Sequence, residues 1–299
     1  MAHNHEHQHS HTIESLNKAF ITGIILNLSF VLIEFGAGFY FNSLGLLSDA
    51  GHNLSDVASL FLALLAFRLA KVRANARYTY GYKKSTILVS LINAVILLIA
   101  VGVIFAESFE KIINPRPVEG GAIAWVAGVG VFINAFTAML FMKNKEKDLN
   151  VRGAYLHMAA DALVSVGVVI SGILISYTKW YILDPIIGIS IAIVILISTW
   201  NLLHESIRLS LDGVPISINS ENIKKIILSI PEVQDVHHIH IWAISTTEIA
   251  MTAHIVVSDL NDMQDLKEDI KEKLEETGIT HITLEFETND MSCEDGFCM

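Results

Sequence analysis

The sequence predicts an α-helical membrane protein with six transmembrane helices and a small cytoplasmic αββαβ domain at its C-terminal end. Hydrophobic residues make up 52% of the 299 positions and charged residues only 17%, whereas soluble domains carry about 25% charged residues. The apolar residues are gathered in long runs up to about residue 204. From residue 205 onward the composition becomes that of a soluble domain, so two structural units are expected.

Six runs are long enough to cross a bilayer. A spanning helix needs about 20 mostly apolar residues, because each residue advances the helix by about 1.5 Å. The expected domains are a histidine-rich N-terminal segment at 1–17, a membrane domain at 18–204 and a cytoplasmic domain at 205–299. The six candidate spans are 18–41, 44–69, 85–109, 120–142, 153–177 and 184–204.

The distribution of lysine and arginine predicts the orientation. Basic residues near span ends favour the cytoplasmic side of the membrane. They are concentrated between spans two and three and between spans four and five, which places both termini in the cytoplasm of a multi-pass cell-membrane protein. These basic residues are Arg68, Lys71, Arg73, Arg77, Lys83, Lys84, Lys143, Lys145, Lys147 and Arg152.

Charge and cysteine content narrow the class of protein further. The formal net charge of −11 argues against nucleic acid as a partner, since nucleic-acid binding requires a basic surface. Cys293 and Cys298 lie in the cytoplasmic tail, where a disulfide is not expected. The N-terminal stretch "MAHNHEHQHSH" contains five histidines, which at cytosolic pH are mostly neutral and able to capture metal loosely.

The last 95 or so residues show both helix and strand patterns. "SENIKKIILSI" has helical periodicity with Ser220 as a plausible N-cap. "VQDVHHIHIWAI" and "EIAMTAHIVVS" predict two strands joined by a short turn. "DMQDLKEDIKEKLEETG" predicts an amphipathic helix ended by Gly278, and "ITHITLEFE" a third strand. The order αββαβ predicts helices on one face of a three-stranded sheet.

Two predicted spans carry the same polar motif, a histidine followed four residues later by an aspartate. The pairs are His52 with Asp56 and His157 with Asp161. Four residues along an α-helix is about 400° of rotation, so each pair projects from one face. Facing lipid, each group would cost several kcal/mol, so both pairs must face the bundle interior or a water-filled cavity. Two facing pairs supply two imidazole nitrogens and two carboxylate oxygens.

This ligand set favours Zn²⁺, which accepts imidazole and carboxylate in four-coordinate sites. Two ionised aspartates also neutralise one divalent cation, which suits an environment of low dielectric constant. A single polar pair could instead serve as an interhelical hydrogen-bonding contact, but the repetition at the same spacing favours metal binding.

Other polar residues also fall within the predicted spans. Asp49 lies on the same helical side as Asp56, and it is interpreted as a helix-entry or gating residue, with direct ligation as the alternative. The remaining intramembrane polar groups are interpreted as packing contacts or cavity lining. They are Asn27, Glu34, Asn93 and Asn134.

The segments "SLGLLSDAGHNLSDVASL", "NVRGAYLHMAADALVSVG" and "VHHIHIWAIS" resemble the cation diffusion facilitator family, in particular the bacterial zinc/cadmium/cobalt-resistance exporters and the animal zinc transporters. The resemblance covers nearly the whole chain. It implies a homodimeric exporter with a metallochaperone-like cytoplasmic domain, in which the two His–Asp pairs form the transport site. It also implies exchange of the metal for protons, with Zn²⁺ as the usual substrate and Cd²⁺ and Co²⁺ as alternatives.

The segment after span two departs from the family pattern. The family usually has a histidine before a Phe-Gly turn and often an acidic residue five places after the glycine. Here the segment reads "RYTYGYKKST", with Tyr80 before Gly81 and Thr86 at the acidic position. This argues against a second metal site in the linker. Lys83 and Lys84 are expected to anchor the loop at the membrane surface.

Several histidines fall on or beside the predicted strands. Strand alternation places His238 and His240 on one face of the sheet and His237 on the other. The family resemblance points to five positions as cytoplasmic metal ligands, and solvent-facing side chains are the alternative. The five are His237, His240, His254, His281 and Glu287, and Cys293 and Cys298 could add thiolate ligands.

The motifs favour an alternating-access antiporter over the other classes considered. An intramembrane metalloprotease would need a His-Glu-x-x-His helix, but His52 is followed by Asn53 and His157 by Met158. A metal sensor without transport would need an output domain, for which the C-terminal region is too small. Uptake rather than export remains the alternative for the direction of transport.

Overall fold

The computed structural model describes residues 6–40, 44–114, 121–178, 180, 182–260 and 263–288 of the chain. Long helices form the N-terminal two thirds of this part, and we call them the helical bundle. They are α1 (Glu6–Tyr40), α2 (Leu44–Ala70), α3 (Ser85–Ile113), α4 (Gly121–Met142), α5 (Leu149–Thr178) and α6 (Leu183–Ser210).

The bundle helices cover the six predicted spans. Among the described residues, three segments are long and apolar enough to cross a membrane by length and composition: Lys18–Ala37, Ser85–Ile113 and Gly188–Ser210. In the described part of the chain, helices α2 and α5, which carry the repeated His–Asp motif, are not among these three segments. The number of six spans therefore stays a prediction.

The bundle helices pack in a closed ring. Going round it, α1 contacts α2, α2 contacts α3, α3 contacts α6, α6 contacts α5, α5 contacts α4, and α4 contacts α1. Helix α5 also contacts α2 and α3. A buried apolar cluster joins α1, α2, α4 and α5, with the Phe20 and Phe141 ring centroids 4.7 Å apart. This packing places the polar motif of α2 opposite that of α5.

The C-terminal domain contains α7 (Ser220–Leu228), β1 (Val233–Ala243), β2 (Ile249–Val257), α8 (Met263–Glu275) and β3 (His281–Thr288). The sheet order is β1-β2-β3, with β1 antiparallel and β3 parallel to β2. Both helices share one apolar core with one face of the sheet, where Ile227, Ile255 and Ile270 are fully buried. The N-cap of α7 is Asn219, one residue earlier than predicted, and its side chain accepts a hydrogen bond from the backbone N–H of Asn222.

A bulge in β1 changes which histidines share a face of the sheet. His237 pairs with His254 and His240 pairs with Thr252, so β1 has two residues between these positions where β2 has one. His238, within the bulge, has φ 49°, in the left-handed region that histidine tolerates better than most residues. Because positions 252 and 254 share one face of β2, His237 and His240 lie on the same face. The alternation expected from a regular strand was therefore wrong at this point.

The turn between β1 and β2 contacts the bundle next to the first residues of α3 and α5. The backbone N–H of Thr246 donates to Thr86 Oγ1 at 3.1 Å, and the Thr246 hydroxyl donates to Asp148 Oδ2. Lys83 pairs with Glu248 and Lys84 with Asp212. These two lysines therefore bind acidic groups of the protein, rather than serving only as the membrane-surface anchors that were expected.

Candidate metal centre

Three of the four predicted transport ligands lie together inside the bundle. Asp56 of α2 is 1% exposed and His157 of α5 is 5% exposed. His157 Nε2 lies 2.5 Å from Asp56 Oδ1 and 3.7 Å from Asp161 Oδ2. Ligand atoms of the three side chains all lie within 4.8 Å of one another. This spacing is small enough for all three to contact a single cation.

Local sequence and packing both contribute to this cluster. The four-residue spacing puts His157 and Asp161 on one face of α5, as the helical period requires. Gly153 lies one turn before His157 and packs near Leu202 of α6 and Asn93 of α3. Small residues at such positions let helices approach closely. The approach of α2 to α5 then brings Asp56 against the histidine.

The fourth predicted ligand, His52, belongs to helix α2 by its backbone. Its side chain lies outside the described residues, as does that of Asp49. Their part in the site therefore stays a prediction.

Two other predicted intramembrane polar groups make packing contacts. Asn53 Nδ2 donates to Glu34 Oε2 at 2.7 Å, which links α1 to α2. Asn27 Nδ2 donates to the carbonyl of Gly23 and to Thr137 Oγ1, which links α1 to α4. Buried polar side chains in a bundle need such partners. The interpretation of Glu34 and Asn27 as packing contacts agrees with these bonds.

A second cluster lies on the sheet of the C-terminal domain. His254 Nδ1 and Glu287 Oε1 are hydrogen-bonded, and His237 Nε2 lies 3.5 Å from Glu287 Oε2. Ligand atoms of His237, His254 and Glu287 lie within 4.8 Å of one another. The antiparallel pairing of position 237 with position 254 places the two imidazoles side by side. Glu287 joins them from β3, the parallel neighbour of β2.

Two of the predicted cytoplasmic ligands are not part of this cluster, and two other residues lie beside it. The His281 ring contacts Tyr80 edge-on at 5.5 Å between centroids, and the centroid of the His240 ring lies 6.2 Å from that of His238. In contrast, the His238 ring lies 4.9 Å from that of His254, and Glu285 Oε2 lies 3.5 Å from His254 Nε2. Cys293 and Cys298 lie outside the described residues.

Sequence reasoning missed His238 because the bulge cannot be seen in a pattern of alternation. Glu285 had a usable signal, since it lies two residues before Glu287 and therefore on the same face of β3. Its carboxylate is mostly exposed, which makes it a peripheral member of the cluster.

Both clusters combine imidazole nitrogens with carboxylate oxygens. This donor set suits divalent transition metals of borderline softness, such as Zn²⁺. In the bundle, the carboxylates of Asp56 and Asp161 have the charge needed to neutralise a dication away from water. The arrangement is suited to binding and releasing a cation.

Comparison with known proteins assigns the chain to a family. Residues 20–209 match the cation efflux transmembrane domain and residues 215–289 match the cytoplasmic domain of cation efflux proteins. The chain therefore belongs to the cation efflux family, also called the cation diffusion facilitators. The predicted family is confirmed, and so is a membrane domain followed by a cytoplasmic domain.

Individual relatives agree with this assignment over nearly their full length. The chain is 38% identical to the zinc transporter ZitB of Pectobacterium atrosepticum over 98% of this chain and 91% of the relative. It is 37% identical to the cadmium, cobalt and zinc/H⁺-K⁺ antiporter of Bacillus subtilis over 94% and 92%. It is 33% identical to the metal cation efflux system protein CzcD of Cupriavidus metallidurans over 95% and 89%. The protein is a metal-cation efflux transporter and not an enzyme.

Proposed function

We propose that this protein exports Zn²⁺ from the cytoplasm in exchange for protons by alternating access. The metal would bind a tetrahedral site formed by His52, Asp56, His157 and Asp161 between α2 and α5. Cd²⁺ and Co²⁺ are the alternative substrates. The observation that carries the proposal is the convergence of Asp56, His157 and Asp161, from two helices, within 4.8 Å in the bundle.

The relatives support both the metal and the counter-ion. One is named a zinc transporter and another a cadmium, cobalt and zinc/H⁺-K⁺ antiporter. A cation in a mostly apolar bundle needs its charge neutralised, and the two aspartates of the cluster provide the required two negative charges. With His52 as the fourth ligand, the set would have the coordination number that Zn²⁺ prefers.

Proton exchange follows from the chemistry of the ligands. Imidazole and carboxylate bind a metal only when deprotonated, so protons and metal compete for the same atoms. A site open to the cytoplasm would take up Zn²⁺, and the same site open to a more acidic exterior would be protonated and release it. The protonated site would then return, so the transport site itself couples the two fluxes.

The proposed topology has six spans within residues 18–204 and both termini in the cytoplasm. The N-terminal histidine-rich segment at 1–17 and the C-terminal domain at 205–299 would then lie on the same side of the cell membrane. This is supported by the distribution of lysine and arginine. A homodimer is proposed as the assembly, because residues 215–289 match the model of a dimerising domain.

The cluster of His237, His254 and Glu287 is proposed as a cytoplasmic metal site that stabilises the dimer and biases the transporter between its conformations. A ligand shifts such an equilibrium only by its difference in affinity for the two states. His240, His281, Cys293 and Cys298 remain candidates for further metal contacts in the dimer.

The test is metal flux into inverted membrane vesicles with an acidic lumen. Wild-type protein should drive Zn²⁺ into the lumen and make the lumen more alkaline. Asp161→Asn should abolish both signals, because the site loses one of its two negative charges. The matched control is Asp265→Asn, which removes an exposed aspartate at the start of α8 and should transport normally.

Circular dichroism and gel filtration would establish that Asp161→Asn is folded. Full transport by this variant would remove Asp161 from the site. Zn²⁺ movement out of the vesicles under the same gradient would contradict export, and Zn²⁺ flux without a change in lumenal pH would contradict proton exchange.

A further inference from the structure

A small cavity lies beside Asp56 and His157, between α2, α3 and α5. The volume that the centre of a water molecule can occupy is about 10 Å³, which is room for about one water. Besides these two residues, its walls are formed by Ser59, Leu60, Asn93, Gly153 and Ala154. The cavity therefore borders the cluster of Asp56, His157 and Asp161 directly, and it has both polar and apolar walls.

Three buried oxygens of the cavity residues have no hydrogen-bond partner among the described residues. They are Asp56 Oδ2, Ser59 Oγ and Asn93 Oδ1. Ser59 and Asn93 are each 5% exposed. A buried polar atom without a partner costs about 1–3 kcal/mol, and buried polar groups in native proteins are nearly always satisfied by protein or by ordered water. A buried water usually needs two to four such partners, which these oxygens can supply.

We propose that Ser59 and Asn93 hold one water molecule at the transport site, and that Co²⁺ or Cd²⁺ bound there keeps this water as an additional ligand. The inference rests on the proposed function, since it assigns a further role to the same site. The water can donate one hydrogen bond to Asn93 Oδ1 and the other to Asp56 Oδ2, and it can accept one from the Ser59 hydroxyl. Its second lone pair is then available to the cation.

The water would make Ser59 and Asn93 specificity-determining residues. Zn²⁺ is satisfied by four protein ligands, whereas Co²⁺ and Cd²⁺ accept a fifth or sixth ligand more readily than Zn²⁺ does. A site that retains one water therefore favours these two ions more than a dry site with the same four side chains. Loss of the groups that hold the water should narrow the selectivity towards Zn²⁺.

The experiment uses the visible absorption of Co²⁺ in the purified full-length protein, because four-coordinate Co²⁺ absorbs much more strongly than Co²⁺ with five or six ligands. His237→Ala and His254→Ala are introduced throughout, so that the C-terminal cluster does not contribute. Without further change, the spectrum should show the weak absorption of more than four ligands. Asn93→Leu should give the strong four-coordinate spectrum and about a 10-fold lower Co²⁺ affinity, the size expected for loss of an outer-shell partner.

Asn134→Leu is the matched control. Asn134 is also a buried asparagine with an unpartnered Oδ1 among the described residues, but it lies on α4 and does not line the cavity. Its replacement should leave the Co²⁺ spectrum and the preference between Co²⁺ and Zn²⁺ unchanged.

Gly153→Ala tests the cavity without removing a polar group. A Cβ at this position would lie 3.5 Å from Leu202 Cδ2 and 4.0 Å from Asn93 Cβ, so it fits at ordinary contact distances while it fills space that the water needs. This variant should also give the four-coordinate spectrum. It remains informative if Asn93→Leu does not fold.

The outcomes separate the two proposals. A strong four-coordinate spectrum before Asn93 is changed, or an unchanged weak spectrum in both Asn93→Leu and Gly153→Ala, would overturn the water ligand while leaving Zn²⁺ export intact. The transport site itself would be overturned by two results together. The protein that carries only His237→Ala and His254→Ala would fail to bind Co²⁺, and Asp161→Asn would transport Zn²⁺ normally.

Discussion

Asp148 is a buried acidic residue at the start of helix α5. Its Oδ1 accepts hydrogen bonds from the backbone N–H groups of Asn150 at 2.7 Å and Val151 at 3.1 Å, as an N-cap does. Its Oδ2 accepts a hydrogen bond from the Thr246 hydroxyl. Burial raises the pKa of Asp148 above its usual 3.8, although these hydrogen bonds act in the opposite direction.

The raised pKa predicts how stability depends on pH. Between pH 3.8 and the higher pKa of the folded protein, the folded state binds more protons than the unfolded state. The contribution of Asp148 to the free energy of unfolding is therefore full below pH 3.8 and is lost as pH rises through the folded pKa. The asparagine of Asp148→Asn does not titrate and can still cap α5. The free energy of unfolding of this variant should therefore lack the decrease with rising pH that Asp148 causes in the wild type.

Thermal unfolding of wild type and Asp148→Asn at a series of pH values measures the effect. The stability of the variant relative to wild type should increase with pH across the interval and then level off. A difference that is constant over the whole pH range would show that Asp148 has the same pKa in both states.

At the scale of elements, the β1–β2 turn connects the C-terminal sheet to the helix that carries His157 and Asp161. Thr246 binds Asp148 at the start of α5 and Thr86 at the start of α3. Asn150 Nδ2 also donates to the backbone carbonyl of Thr86 at 2.9 Å. The beginnings of α3 and α5 and the turn thus share one buried polar network.

Thr246→Val should weaken this connection. Valine has the same shape as threonine but no hydroxyl, so Asp148 would lose a donor at a cost of about 1–3 kcal/mol. Amide hydrogen exchange in the first turn of α5 should become faster, while exchange in the middle of β2 should not change. Thr247→Val is the control, because Thr247 is exposed and its side chain contacts Ser245 within the same turn. Equal exchange in both variants would show that the turn does not hold the start of α5.

At the scale of the whole molecule, the two clusters of candidate metal ligands belong to different domains and share no residue. Each should bind Zn²⁺ without the other. A ligand that binds only the folded state stabilises it by about 2.7 kcal/mol at a concentration 100 times its dissociation constant. Zn²⁺ should therefore stabilise the bundle and the C-terminal domain separately.

His254→Ala and Asp161→Asn test this independence. His254→Ala should remove the Zn²⁺-induced protection of the C-terminal domain from proteolysis and leave that of the bundle, and Asp161→Asn should do the reverse. In the double variant both protections should be lost. Loss of both protections in either single variant would instead reveal strong coupling between the domains.

The sequence by itself determined the class of protein, the long helices and the two His–Asp pairs, because these depend on composition and on the periodicity of a helix. Only the tertiary structure decided which groups meet. The bulge in β1 placed His237 and His240 on one face, the docked turn buried Asp148, and the packing of α2, α3 and α5 placed Ser59 and Asn93 at one cavity. These arrangements depend on contacts between residues that are far apart in the sequence. Composition and helical or strand periodicity do not predict such contacts.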